Sequence, residues 1–305
     1  MTKVYTHTPS NFSDMQSLLI YVKADVVDAF LTRNTYYFYD TCSILHHSNS
    51  DNRQCVIDYL NEERALVIVT RTVLMELMNG VGHIHAAQLG YLQELHSSGL
   101  PVLLLDEEWI WDIVRELRIV KAGEANRILG FGIKALSRNK GAVHYAIQSF
   151  PRKIDLLKEG NGQTCLVEPF FTHARSLKTS GDSLAEELIL LAAIFLSQLN
   201  RGKFVLFSDD LKARSPVIDA LAQFERNYAR EKLHQLTTAT LLGRMHRRGL
   251  LTERTGMIEL MQKVSQGRIK VHYVDGNMIE AGIGNFSVED LVDRILNDSE
   301  FKVFY

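Results

Sequence analysis

Four short apolar runs recur along this 305-residue chain: Tyr36 to Tyr39 (YYFY), Ala65 to Thr70 (ALVIVT), Pro101 to Leu105 (PVLLL) and Lys203 to Phe207 (KFVLF). Aromatic and β-branched residues favour strands, and runs without polar alternation suit strands buried on both faces. The stretches between the runs carry apolar residues at helical spacing. Alternating strands and helices predict an α/β protein, a three-layer sandwich with a central parallel sheet.

The remaining elements follow from the same periodicities. Met15 to Leu31 has apolar residues at 18, 19, 22, 26, 27 and 30, which predicts one helix within an N-terminal segment of residues 1–32. After a strand at 36–40, the polar stretch from His46 to Asn52 reads as a loop. Helices are expected at 55–63, from Thr72 to Met78, at 84–98 and at 107–121. Residues 122–180 exceed what a crossover needs and contain GFG and NKG breaks, so about 106–180 reads as a mostly helical insertion. A long apolar helix then runs from Ser183 to Asn200, followed by the KFVLF strand. Helices are expected near 214–230, 239–248 and 253–265, with strands near Leu236 and at 268–274 and a last helix at 287–297. The main domain is assigned 33–272, and 273–305 a small C-terminal extension.

Composition bounds the setting. The formal net charge of -2 gives no global attraction for a polyanion, so any nucleic-acid surface must be local. Cys42, Cys55 and Cys165 are odd in number and lack metal-ligand spacing, which points to a reducing compartment. The longest apolar run, Leu188 to Leu196, is about half a membrane span, and the N-terminus lacks a signal core. The expectation is a soluble cytoplasmic protein with no membrane association.

The chemistry-bearing residues are acids near strand ends. Asp40 follows the first strand directly, where open α/β sheets place ligands. Its plainer role is to cap a helix beginning at Thr41. Glu76 lies in the helix after the second strand, Asp182 opens the long apolar helix, and Asp209 and Asp210 end the KFVLF strand. In a parallel sheet these ends converge on one edge. Taken singly, Glu76 reads as a surface residue, Asp182 as an N-cap and Asp209 or Asp210 as a turn residue. Glu186 shares the helical face of Asp182, while Glu187 is rotated away and expected in solvent. Crowded carboxylates repel one another unless a cation neutralises them, and oxygen-rich sites suit Mg²⁺. One or two such ions, about 3.5–4 Å apart when paired, suit phosphodiester hydrolysis.

In order and content, YDTCSIL (39–45), VTRTVLMEL (69–77), GDSLAEELILLA (181–192) and VLFSDDLKAR (205–214) resemble motifs of the PIN-domain nucleases. The later TTATLLGRMHRRGLLTERTGMIELMQ (237–262) resembles the helix–Gly-Leu–helix ending of one branch of that family. The resemblance covers about 35–105 and 180–272. It implies a PIN-like fold in which Asp40, Glu76 and Asp182 hold Mg²⁺ or Mn²⁺, with Asp209 or Asp210 as the fourth acid. The Asp-Asp pair leaves that fourth position ambiguous, and the long spacing from Asp182 lets Glu186 stand in for it. Thr41, Ser43 and Ser208 match hydroxyl residues that help position water at the metal. The implied activity is that of a Mg/Mn-dependent endoribonuclease acting on single-stranded or looped RNA such as tRNA. A deoxyribonuclease with the same ions and a non-catalytic binding scaffold stay open, as do an antitoxin partner and a homo-oligomer.

Two local basic clusters suit a phosphate backbone. Between Arg118 and Lys153 there are eight basic residues, Lys134, Arg138 and Lys140 among them, against Glu124 alone. A second cluster includes Lys212, Arg214, Arg244, Arg247 and Arg248. Tyr145 and Phe150 are able to stack on bases, although core packing is the expectation for both. His46, His47, His83 and His85 lack a third ligand with zinc spacing, and Cys42 is expected to pack in the core.

Overall fold

The computed structural model describes residues 7–78, 81–117, 121–137, 140–157, 164–197, 202–210, 233–276 and 281–304. Five strands, β1 (Thr35–Tyr39), β2 (Leu66–Thr70), β3 (Val102–Leu105), β4 (Lys203–Phe207) and β5 (Leu233–Leu236), form an all-parallel sheet in the order β3-β2-β1-β4-β5. Central β1 pairs Tyr36 with Leu66 on one side and with Phe204 on the other. Its four aromatics are buried, and the Tyr36 ring stacks between Phe30 and Phe204 at centroid distances of 5.0 and 4.9 Å. Burying each such ring contributes about 1.5–3 kcal/mol, so the YYFY run belongs in the middle of the sheet.

The strand order locates the site. From β1 the chain winds outward through β2 and β3, then crosses back to lay β4 on the other side of β1. Connections leaving β1 and β4 therefore diverge, and a crevice opens beyond the carboxyl ends of these two strands.

Helices α1 (Lys23–Thr32), α2 (Thr41–Ser48), α3 (Arg53–Glu62), α4 (Arg71–Met78) and α5 (Ala86–Ser97) accompany the first three strands. The regular elements described in the insertion are helices: α6 (Ile110–Leu117), α7 (Ala122–Leu136), α8 (Ala142–Ser149), α9 (Lys153–Leu157) and α10 (Val167–Ser176). Next, α11 (Leu184–Leu196) is buried at all 13 residues, as a helix apolar on every side must be. It touches α4 and β4 as well as α6, α7, α8 and α10, and so joins the sheet to the insertion. After β5 come α12 (Thr238–Arg247) and α13 (Arg254–Val264). The chain ends in an antiparallel sheet of β6 (Arg268–Val274), β7 (Gly282–Ser287) and β8 (Lys302–Phe304), with α14 (Val288–Asn297) against it.

Several expectations are corrected. In the Met15 to Leu31 stretch the α-helix, Lys23–Thr32, begins only at Lys23, because Ile20 bridges in parallel to Leu103 at the sheet edge. Its N–H donates to the Val102 carbonyl at 2.8 Å, and its own carbonyl accepts from Leu104 at 3.0 Å. The expected loop from His46 begins as helix, since α2 continues to Ser48 with His47 buried against Tyr39 and Phe207. Gly130-Phe131-Gly132 does not break α7. A Cβ on Gly132 would lie 2.7 Å from Leu191 Cδ2, so this glycine permits close approach to α11. The C-terminal sheet starts at Arg268, so the boundary at 273 falls inside β6. The helix expected near 214–230 lies outside the described residues. Among the described residues, no helix is long and apolar enough to cross a membrane.

Candidate functional site

Asp40 stands at the crevice, its N–H continuing the β1–β4 ladder to the Phe207 carbonyl at 3.0 Å. It is the N-cap of α2: Oδ1 accepts the Ser43 N–H at 2.8 Å and Oδ2 accepts the Cys42 thiol at 2.9 Å. Ser208 donates to the same carboxylate. Burial is complete, and desolvation pushes its pKa up to about 6 despite these donors. Capping and site residue are thus one position. Cys42 serves as a donor to Asp40, and burial raises its thiol pKa far above the ordinary value, which makes it a poor nucleophile. The Ser43 hydroxyl is buried without a hydrogen-bond partner.

Glu76, from α4, is held on both oxygens. The Thr41 hydroxyl donates to Oε2, and the Lys178 ammonium lies 2.5 Å from Oε1. Lys178 also contacts Asp182 Oδ1, and its side chain is 2% exposed. Asp182 Oδ2 accepts the Thr179 N–H at 2.7 Å and the Thr179 hydroxyl at 2.8 Å. Burial works against the Lys178 charge, but Glu76 and Asp182 outweigh it and hold its pKa above the usual lysine value. Sequence reasoning passed over Lys178. It sits in the SLKTSGDS turn with no pattern to mark it, and only the fold brings Glu76 to it.

Glu186, on the first turn of α11, is nine-tenths buried, and its Oε2 has no hydrogen-bond partner. Burial first, then the negative charges of Glu76, Asp40 and Asp210, push its pKa up to about 8. An isolated buried carboxylate oxygen is costly, so this one calls for a cation or a proton. Of the two acids after β4, Asp209 is committed elsewhere. Its Oδ1 accepts the Thr238 N–H at 2.7 Å, and its Oδ2 takes the Thr238 hydroxyl at 2.6 Å and His46 Nδ1 at 3.1 Å. Burial opposes its charge, yet His46 and Thr238 hold its carboxyl below the usual range. Asp210 lines the cleft with Glu186, and the structure places it, in preference to Asp209, beside the other acids.

Glu187 is buried and not in solvent as expected. Its oxygens accept the N–H groups of Ala142 at 3.1 Å and Val143 at 2.8 Å, capping α8 of the insertion. A Cβ on Gly141 would fall 2.0 Å from that carboxylate, so only glycine fits there as the groups stand. The insertion is thereby pinned one residue from Glu186.

The cleft has a volume of about 1000 Å³, and Glu76, Asp182, Glu186, Asp210, Lys140 and Tyr145 are all among its lining residues. Tyr145 is 66% exposed, contrary to its expected core packing, whereas Phe150 is buried edge-on to Phe170. Lys134 and Lys140 are exposed; Arg138, Lys212 and Arg214 lie outside the described residues. Arg244, Arg247 and Arg248 lie at the far end of α12, toward the amino ends of the strands. There Arg244 donates to the Tyr59 hydroxyl at 3.3 Å, and Arg248 pairs with Glu62 and Glu63.

Among the described residues, no group of three or more His, Cys, Asp and Glu side chains is arranged to hold a metal ion as it stands. The donor set is nonetheless of the hard-oxygen kind that Mg²⁺ and Mn²⁺ take, and the unpartnered Glu186 oxygen is a free valence within it. No family model matches the chain, and no similar curated protein or solved structure is found.

Proposed function

We propose that this chain is a divalent-metal-dependent ribonuclease with a PIN-like acidic site. The observation that carries the reading is Glu186: a buried carboxylate with an unpartnered oxygen, in the field of Asp40, Glu76 and Asp210, at the crevice between β1 and β4. Asp40, Glu186 and Asp210 would hold Mg²⁺ or Mn²⁺. When bound, such an ion lowers the pKa of an attacking water and offsets the charge of the scissile phosphate. The chain's own residues prepare that site. Ser43 N–H, Cys42 and Ser208 orient the Asp40 carboxylate, and Thr41 fixes Glu76. Lys140, in the same cleft lining, offers a phosphate partner, and the exposed Tyr145 ring offers a face to an unpaired base. The choice of RNA rests on the motif resemblance.

The test is hydrolysis of an end-labelled single-stranded RNA with Mn²⁺ present, followed by analysis of the product ends. The expected result is cleavage that chelation stops, product ends free of 2′,3′-cyclic phosphate, and loss of activity in Asp40→Asn. Chelator-resistant cleavage with cyclic ends would overturn the reading, as would an Asp40→Asn enzyme of wild-type rate. RNA binding without cleavage would point to a scaffold instead.

A further inference from the structure

The acids of the cleft divide into two groups that differ in how their charge is met. Glu76 and Asp182 share the Lys178 ammonium, which stands four residues before Asp182 in the turn after α10. That ammonium lies 3.4 Å from the Asp182 carbonyl oxygen as well, and its side chain is almost wholly buried. Among the described residues, no Lys or Arg forms an ion pair with Asp40 or Glu186, and Glu186 retains an unpartnered oxygen.

We propose that Lys178 is a built-in cation occupying the place of a second metal ion, so that the site binds one divalent ion, on the Asp40–Glu186–Asp210 side. The proposal rests on the metal-dependent reading above and deepens it. A divalent ion between Glu76 and Asp182 would have to expel the ammonium from a position enclosed by protein. The displaced charge would then lie buried without its partners, or the turn would have to open. The geometry favours the lysine. An ammonium is a compact charge with three donors, and here it reaches oxygens of two carboxylates and one backbone carbonyl.

Counting Mn²⁺ bound to the full chain, by calorimetric titration and by electron paramagnetic resonance of free Mn²⁺, tests this without reference to activity. The wild type is expected to bind one ion. Lys178→Met and Lys178→Gln are expected to bind a second at Glu76 and Asp182, and Lys178→Arg to remain at one. Asp182→Asn should keep the single ion with affinity within about threefold, since it lies outside the ion's ligands. Two ions on the wild type would overturn the proposal. So would one ion on folded Lys178→Met and Lys178→Gln, or loss of the ion in Asp182→Asn, an arm that stands even if the lysine variants fail to fold. A wild type that binds no ion would overturn the metal-dependent reading itself, a result distinct from these.

Discussion

Glu186 keeps its proton in the fold to about pH 8, against an ordinary glutamate value of 4.5, and Asp40 keeps its proton to about 6 against 3.8. In both, the unfolded chain releases its proton first as pH rises, so folding stability declines through the interval between the two values. For Glu186 that interval is roughly pH 4.5 to 8, and for Asp40 roughly 4 to 6. Denaturant titration of the metal-free protein should therefore show falling stability from pH 5 to pH 8. Glu186→Gln should flatten the decline and exceed the wild type at pH 8 by about 2–4 kcal/mol. Equal slopes in the two proteins would remove Glu186 from the crowded site. Divalent metal should reverse the trend in the wild type alone, because it binds the ionised carboxylates of the fold.

Among the elements, α8 shows how the site is framed. Its N-terminus is held by Glu187, so Glu187→Ala should cost about 1–3 kcal/mol, read as a lower denaturation midpoint. Because Tyr145 rides on α8, the same change should weaken RNA binding more than Mn²⁺ binding. Unchanged stability would mean that the Glu187 bonds to Ala142 and Val143 are dispensable. Helical-wheel reasoning sends Glu187 to solvent, since it counts angles about one axis and has no knowledge of a second helix arriving there. The central strands were legible for the opposite reason: β4 follows the KFVLF run residue for residue because Phe204 to Phe207 are apolar and buried without a break. Asp40 was legible too, as an acid directly after the aromatic run. Ile20, Lys178, β7 and β8 were not. Their conformations depend on partners distant in sequence, such as Leu103 for Ile20 and β6 for both C-terminal strands.

Across the whole molecule, the described arginines of the second cluster stand apart from Lys140. Asp209 binds the first residue of α12 at the carboxyl edge of the strands, and the helix then descends 10 residues, about 15 Å, to Arg247. The arginine cluster therefore stands away from the acids, whereas Lys140 lines the same cleft as they do. Lys140→Glu combined with Tyr145→Ala should weaken RNA affinity about tenfold or more and lower its salt slope by about one. Arg247→Glu should leave cleavage of a short oligonucleotide within about threefold of wild type. Filter binding across a salt series distinguishes the two, and the opposite ranking would route the substrate over the amino edge of the sheet.

The central claim is that Glu186 completes an ion-binding acidic site that hydrolyses RNA. Its most direct measurement is the cleavage rate of one labelled single-stranded RNA by the wild type and by Glu186→Gln, with Mn²⁺ and after chelation. Wild-type cleavage is expected to be abolished by chelation and restored by added Mn²⁺. Glu186→Gln is expected to lose about 100-fold or more, the scale for removing a ligand of a catalytic ion. Cleavage that survives chelation, or a Glu186→Gln rate within about threefold of wild type, would contradict that claim.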